Sequence, residues 1–254
     1  MPTAIFRYLT SSGLIVAADG KATDLIDPRN QWTNIQKIFE IKGTPAAYAL
    51  NGNVVLGGEP ELHLGRKFRE LVNARTPHPI PDLVAYAEEL AKPLHSWLSD
   101  AKAKELIPYF HGYHEGGSRT TIAHILLFGY CKGMPQEADI WVWHRGQVPG
   151  CSAEPFDFAR QNPRAWGSPE VWNALLSGNT KFAKFATTKI PPKEEIEQNS
   201  LLDAAKIGES YIAACDSDEG RELDPITCPT IGGHVHIAAI NDSCFLWLKR
   251  PILR

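Results

Sequence analysis

The sequence predicts an α+β fold, a four-layer αββα sandwich of two antiparallel sheets with helix pairs on the outer faces. Three observations lead there. Strand-like segments come as consecutive pairs joined by short polar turns, the signature of antiparallel hairpins. Helix-like segments also come as pairs, at two separate places among the strands. No strand–helix–strand alternation occurs, so a parallel sheet is not expected.

The elements follow in the order ββ, ββ, αα, ββ, αα, ββ. AIFRYL and GLIVAA flank a TSS turn and form the first strand pair. A polar loop, KATDLIDPRNQW, leads to the second pair, NIQKIFEI and PAAYAL, around Lys42-Gly43-Thr44. After NGN the period changes, and Leu64, Phe68, Leu71 and Val72 fall at helical spacing. The proline-rich TPHPIP ends that helix. Leu83, Val84, Ala87, Leu90, Ala91, Leu94, Trp97 and Leu98 then give the longest helical stripe, with Pro93 as a kink point. YFHGYHEGGSR is a glycine-rich loop before the third strand pair, TIAHILLFGYC and ADIWVWHRG.

QVPGCSAEPFDFARQNPRAW has neither period and is expected to be irregular. SPEVWNALLSG opens with Ser-Pro, a strong helix start. After the break TKIPPKEEIEQN, the helix SLLDAAKIGESYIAAC aligns Leu201, Ala205, Gly208, Ile212 and Cys215 on one face. GGHVHIAAI and CFLWLK close the chain around Asn241-Asp242. There is no internal repeat, no low-complexity segment and no long linker, so a single domain over 1–254 is expected.

Composition narrows the function classes. Apolar residues make up 43% of 254, enough for a sizeable core, and the formal net charge is only −3. No basic tract occurs, so a nucleic-acid partner is not expected. No apolar run nears the ~18 residues of a membrane span, and the short GLIVAAD run does not predict a secretion signal. The five cysteines form no CxxC pair and are odd in number, which fits reduced thiols in a cytoplasmic protein. No dinucleotide or phosphate-loop motif is present, and no cofactor is expected.

GLIVAADGKAT, IQKIFEI, AYALNGN, WGSPEVW and TIGGHVHIAAI occur in that order, from about residue 3 to about 248. They resemble the landmarks of proteasome-type subunits of the N-terminal-nucleophile hydrolase superfamily, both the proteasome beta subunits and the peptidase subunit of the two-component bacterial ATP-dependent protease. The resemblance implies threonine-type amide hydrolysis, with an N-terminal threonine attacking a carbonyl and a free amine or a water taking the proton. It implies that Thr3 is the nucleophile, sixteen positions before Asp19, which matches the family aspartate at the end of the second strand. Lys37 matches the lysine whose charge lowers the nucleophile's pKa. Asn51 and Gly52 match the turn that supplies an oxyanion N–H, and Ser168 matches a serine near the nucleophile's amine. A peptide or amide substrate, a homo-oligomeric ring or stack and an ATP-dependent unfoldase partner are further implications.

Three features depart from the family pattern. Met1 and Pro2 precede Thr3 where the family usually has a cleavable glycine. Cys228 and Ile231 stand where members carry Asp and Ser before the Gly-Gly strand, leaving Thr230 as the nearby hydroxyl. TAIFRY also fits the opening strand if the LTSSG turn is two residues longer, which would put Met1 at the nucleophile's place. Two functions therefore stand side by side: a threonine-type peptidase that needs Thr3 as its terminus, and a catalytically inactive proteasome-like structural or ring-forming subunit.

The same residues also have plain structural readings. Asp19-Gly20 is a common turn, Ser168 is a good helix cap, and Lys37 could face solvent from its strand. His111, His114 and Glu115 sit in a glycine-rich loop without the helical spacing of a zinc site, and no metal is expected. His234 and His236 alternate on one strand, as a pocket wall or as a solvated or satisfied pair. Trp141, Trp143, Trp166 and Trp172 are expected in the core or at a subunit interface.

Overall fold

The computed structural model describes residues 3–23, 31–56, 62–75, 79–107, 109–110, 113–114, 119–158, 161–185 and 198–252. The chain forms two compact units, Met1–Phe39 with Phe158–Arg254, and Glu40–Asp157.

The first unit is built on a hairpin. Strand β1 (Ile5–Thr10) pairs with β2 (Gly13–Ala18) from Ile5 opposite Ala18 to Thr10 opposite Gly13. The Thr10 hydroxyl donates to the Gly13 carbonyl and accepts from the Ser12 N–H, which fixes the two-residue turn. Strand β3 (Ala22–Thr23) pairs with β4 (Gln31–Trp32) as a small separate ribbon within the expected polar loop. Farther along come β11 (Arg164–Trp166), β12 (His236–Ile240) and β13 (Phe245–Lys249), and the sheet order is β11-β1-β2-β12-β13, antiparallel throughout. Strand β2 lies between β1 and β12 and is buried along its whole length, which accounts for its unbroken apolar run.

Helices α3 (Pro169–Leu176), α4 (Leu201–Cys215) and α5 (Asp218–Leu223) belong to this unit. Phe6, Tyr8, Ile15 and Ala17, on one face of the hairpin, share a core with Trp172, Phe182, Tyr211 and Ile212. Phe6 meets Trp172 edge-on at 5.5 Å between centroids. Each such side chain contributes about 2 kcal/mol through burial alone.

The second unit holds α1 (Leu64–Arg75) and α2 (Leu83–Ala103). Leu64, Phe68, Leu71 and Val72 are all buried, as their spacing predicts. Asp82 caps α2 by accepting the Ala85 N–H at 2.8 Å, and the helix continues through Pro93. Strand β5 (Ile38–Glu40) carries the chain into this unit and β6 (Ala46–Gly52) follows. A short strand, β7 (Tyr113–His114), pairs with β8 (Thr120–Cys131). Strand β9 (Met134–Arg145) and β10 (Val148–Phe156) complete a sheet of order β10-β9-β8-β6-β5. Both tight hairpins here turn on two residues of positive φ, Lys132-Gly133 and Gly146-Gln147, the backbone that suits the strand twist.

Both units pair antiparallel strands with helices, the α+β class that the element order predicts. Three expectations need correction. The stretch read as irregular contains β10 and β11. Pro149, Gly150 and Pro155 conceal β10, and prolines are tolerated there because β10 is at a sheet edge. NIQKIFEI is a strand only from Ile38, so Lys37 stands in irregular backbone just before it. His234 precedes β12 rather than alternating with His236 along it. Met1, Pro2, His111 and Glu115 lie outside the described residues, as do most of TKIPPKEEIEQN and part of TPHPIP.

Candidate active site

The end of the first hairpin gathers a carboxylate and an ammonium. Asp19 directly follows β2, and its backbone N–H donates to the Ala4 carbonyl at 3.1 Å. Its carboxylate accepts the Ala4 N–H (3.0 Å) and the Lys37 ammonium (2.8 Å) at Oδ1. Oδ2 accepts the N–H groups of Lys21 (3.1 Å) and Gly232 (3.2 Å). Four donors from four chain segments thus converge on one carboxylate whose side chain is 0% exposed, against 8% for that of Lys37.

Burial pushes the Asp19 carboxyl above the usual carboxylate range, opposed by the Lys37 charge and the N–H donors. Burial likewise pushes the Lys37 ammonium below the usual lysine range, opposed by Asp19.

Gly20 is more than a turn residue. A Cβ there would sit 2.6 Å from the His234 carbonyl oxygen and 2.9 Å from that of Thr33. Only glycine lets three backbone segments meet at this point. The Gly20 N–H donates to the Gly232 carbonyl and its own carbonyl accepts from Ile35. This knot carries Lys37 back to Asp19, although 18 positions separate them in sequence.

Thr3 is 4% exposed and precedes the residue whose N–H the Asp19 carboxylate holds. The Asp19–Ala4 register puts Thr3 one residue beyond this contact. Gly167 packs on the Thr3–Ala4 backbone at φ +112°, and a Cβ on it would lie 3.1 Å from the Thr3 carbonyl oxygen. Ser168, the next residue, is fully buried. Its hydroxyl caps α3 by accepting the Val171 N–H at 3.3 Å. Its own N–H donates to the Tyr211 hydroxyl, which in turn donates to the Trp166 carbonyl. Ser168 also hydrogen-bonds Cys228, whose thiol is pulled down mainly by a hydrogen bond with Cys215. Burial pushes the Cys215 thiol up.

Of the six residues singled out in the sequence, Asp19 and Lys37 are in direct contact, and Ser168 adjoins the glycine packed on Thr3. Asn51 and Gly52 end β6 in the other unit, where Gly52 has φ +97° and the Asn53 N–H bonds the Ile122 carbonyl. Sequence reasoning missed the Gly232 N–H, Tyr211 and Cys215. A pocket wall or a solvated or satisfied pair, the readings open to His236 in the sequence, do not link it to Lys37. The Nε2 of His236 accepts the Lys37 backbone N–H at 3.1 Å. Among the described residues no cluster of three or more His, Cys, Asp or Glu could hold a metal ion. No described helix is long and apolar enough to cross a membrane.

A mutant of Anbu from Hyphomicrobium sp. strain MC1 is a solved structure similar to this chain. The TM-score is 0.56, with 10% identity over 99% of this chain and 88% of that one. The two chains share a fold. At this identity the likeness extends to the fold alone, and the chemistry must be argued from this chain's own residues. No family model matches the sequence, and no curated protein sequence matches it.

Proposed function

We propose that the chain is an amide hydrolase of the threonine type, with Thr3 as nucleophile and Lys37 and Asp19 as its activating pair. The observation that carries this reading is the buried Lys37–Asp19 contact, whose carboxylate also holds the residue after Thr3. A buried ion pair is costly and adds little net stability over apolar packing, so its presence at a strand end asks for a chemical reason.

In the proposed reaction the Thr3 oxygen attacks the amide carbonyl carbon and its proton passes to the freed α-amine or a water. The C–N bond breaks, the leaving amine takes that proton, and an ester forms on Thr3. Water then cleaves the ester and restores the hydroxyl. Lys37 lowers the hydroxyl's pKa by its charge, and Asp19 orients Lys37. A free Thr3 amine requires scission of the Pro2–Thr3 bond. Such an amine, with a reference pKa of ~7.7–8.0, is a suitable base near neutrality.

The second reading, a catalytically silent subunit that builds or caps a ring, is favoured by one feature. Fully buried Ile231 brings an apolar group to the Gly167 contact beside Thr3, where the family pattern has a serine. Fluorogenic peptide amides distinguish the two. Hydrolysis that Thr3→Ala abolishes supports the enzyme. Hydrolysis that survives Thr3→Ala, or none from a chain shown by intact mass to begin at Thr3, contradicts it. A homo-oligomeric ring or stack accompanies either reading, and a strict monomer by light scattering would remove the chambered arrangement.

A further inference from the structure

We propose that His236 is a positioning residue for Lys37: its imidazole holds the lysine's backbone so that the ammonium stays on the Asp19 carboxylate. The inference rests on the hydrolase reading for its catalytic consequence, and on the hydrogen-bond pattern alone for the positioning itself.

Residues 33–37 form no strand. Among the described residues, three hydrogen bonds tie their backbone to neighbouring segments. The Thr33 carbonyl accepts the His234 N–H and the Ile35 N–H reaches the Gly20 carbonyl, both at 2.8 Å. The third, at Lys37 itself, depends on a side chain: its N–H donates to His236 Nε2 at 3.1 Å. Substitution can therefore remove this restraint without touching any backbone ladder.

The ring is well placed for the task. His236 stands opposite Ala18 in the β2–β12 pairing, so it flanks the residue before Asp19. It is 1% exposed, and the Trp247 ring meets it edge-on at 6.4 Å. Because the Lys37 N–H points at Nε2, that nitrogen carries a lone pair and the proton is on Nδ1. The Lys37 ammonium and the His234 imidazole both disfavour a proton on the ring. Burial and those neighbours push its pKa down to about 3, so it remains a neutral acceptor across the physiological range. One lysine is thus held at both ends, by His236 at its backbone and by Asp19 at its ammonium. A buried imidazole with this assignment is a device for orientation, not for proton transfer.

The test compares three variants of the full chain. His236→Gln can present Oε1 near the Nε2 position, His236→Asn is one methylene too short, and His236→Leu offers no acceptor. Two readouts are taken: the titration of the Lys37 ammonium by nitrogen-15 NMR, and kcat and KM on a fluorogenic peptide amide. A displaced ammonium should lower kcat about 100-fold in the Leu and Asn variants with KM little changed. Gln should recover most of kcat. The Lys37 titration should move by about half a pH unit or more in Leu and Asn and return in Gln. An unmoved Lys37 titration in both Leu and Asn overturns the proposal, whatever the turnover. If a wild-type chain shown by intact mass to begin at Thr3 gives no turnover, the hydrolase reading fails while the titration alone decides the positioning role. If His236→Leu does not fold, the Asn and Gln comparison decides it.

Discussion

Replacing Lys37 with methionine keeps most of the side chain's length and removes the ammonium that the Asp19 carboxylate accepts. The three backbone N–H donors from Ala4, Lys21 and Gly232 remain. Breaking a buried pair by removing one partner costs about 3–5 kcal/mol, because the other charge is left without its counterpart. The surviving donors place Lys37→Met at the lower end, about 3 kcal/mol at pH 7. The pair Lys181–Glu222 is a control. Its side chains are 62% and 69% exposed, and Lys181→Met should cost no more than about 0.5 kcal/mol. The pH dependence adds a second check. Without its cation, Asp19 has a raised folded pKa, so the folded variant binds more protons than the unfolded chain between the two pKa values. Its stability then falls as pH rises through that window, and the deficit against wild type is largest at neutral pH and shrinks toward pH 4. Urea unfolding followed by circular dichroism at pH 7 and pH 5 measures both effects. A loss at pH 7 no larger than the Lys181→Met control would refute the buried-pair argument.

Two further predictions follow from the same knot. His236 titrates at about 3 in the fold against an ordinary 6.5, so the unfolded chain takes up the proton first as pH falls. Stability is complete above about pH 6.5 and is lost downward, by about 2 kcal/mol at pH 5 and about 4 kcal/mol at pH 3. His236→Gln should flatten that acid slope in urea titrations, and an unchanged slope would contradict the assignment. Gly20→Ala drives a Cβ into two carbonyl oxygens and should cost about 3 kcal/mol in the same assay, whereas a neutral result would show that the three segments are not in contact.

Much of the fold is legible in the sequence because its periods are clean. The apolar runs of β1, β2, β6, β8, β9 and β12 and the stripes of α1, α2 and α4 each carry their own signal. Ser168-Pro169 announces α3, and Ser168 does cap it. Strand β10 is hidden because Pro149 and Pro155 break its pattern, a freedom that only an edge strand has. Helix α5 is six residues long with a Ser217 cap, too short for a period to show. At the site, Asp19 and Lys37 can be picked from residue type and interval, and they do meet. The role of His236 cannot be read in the same way. Which N–H a buried ring accepts is set by tertiary placement, and the Lys37 N–H is available only because the strand starts at Ile38, four residues into the stretch its pattern suggests. Gly20 was legible as a turn, but its close approach to residues 33 and 234 is a long-range fact.

The central claim is that the Asp19–Lys37 pair exists to activate the hydroxyl of Thr3. Acylation by a β-lactone electrophile, located by tandem mass spectrometry, tests it most directly. The account predicts one acyl group, on the Thr3 oxygen of a chain that begins at Thr3, and no such adduct in Lys37→Met. A chain that begins at Thr3 and stays unmodified, or an adduct on Thr3 that forms equally fast without Lys37, would contradict it.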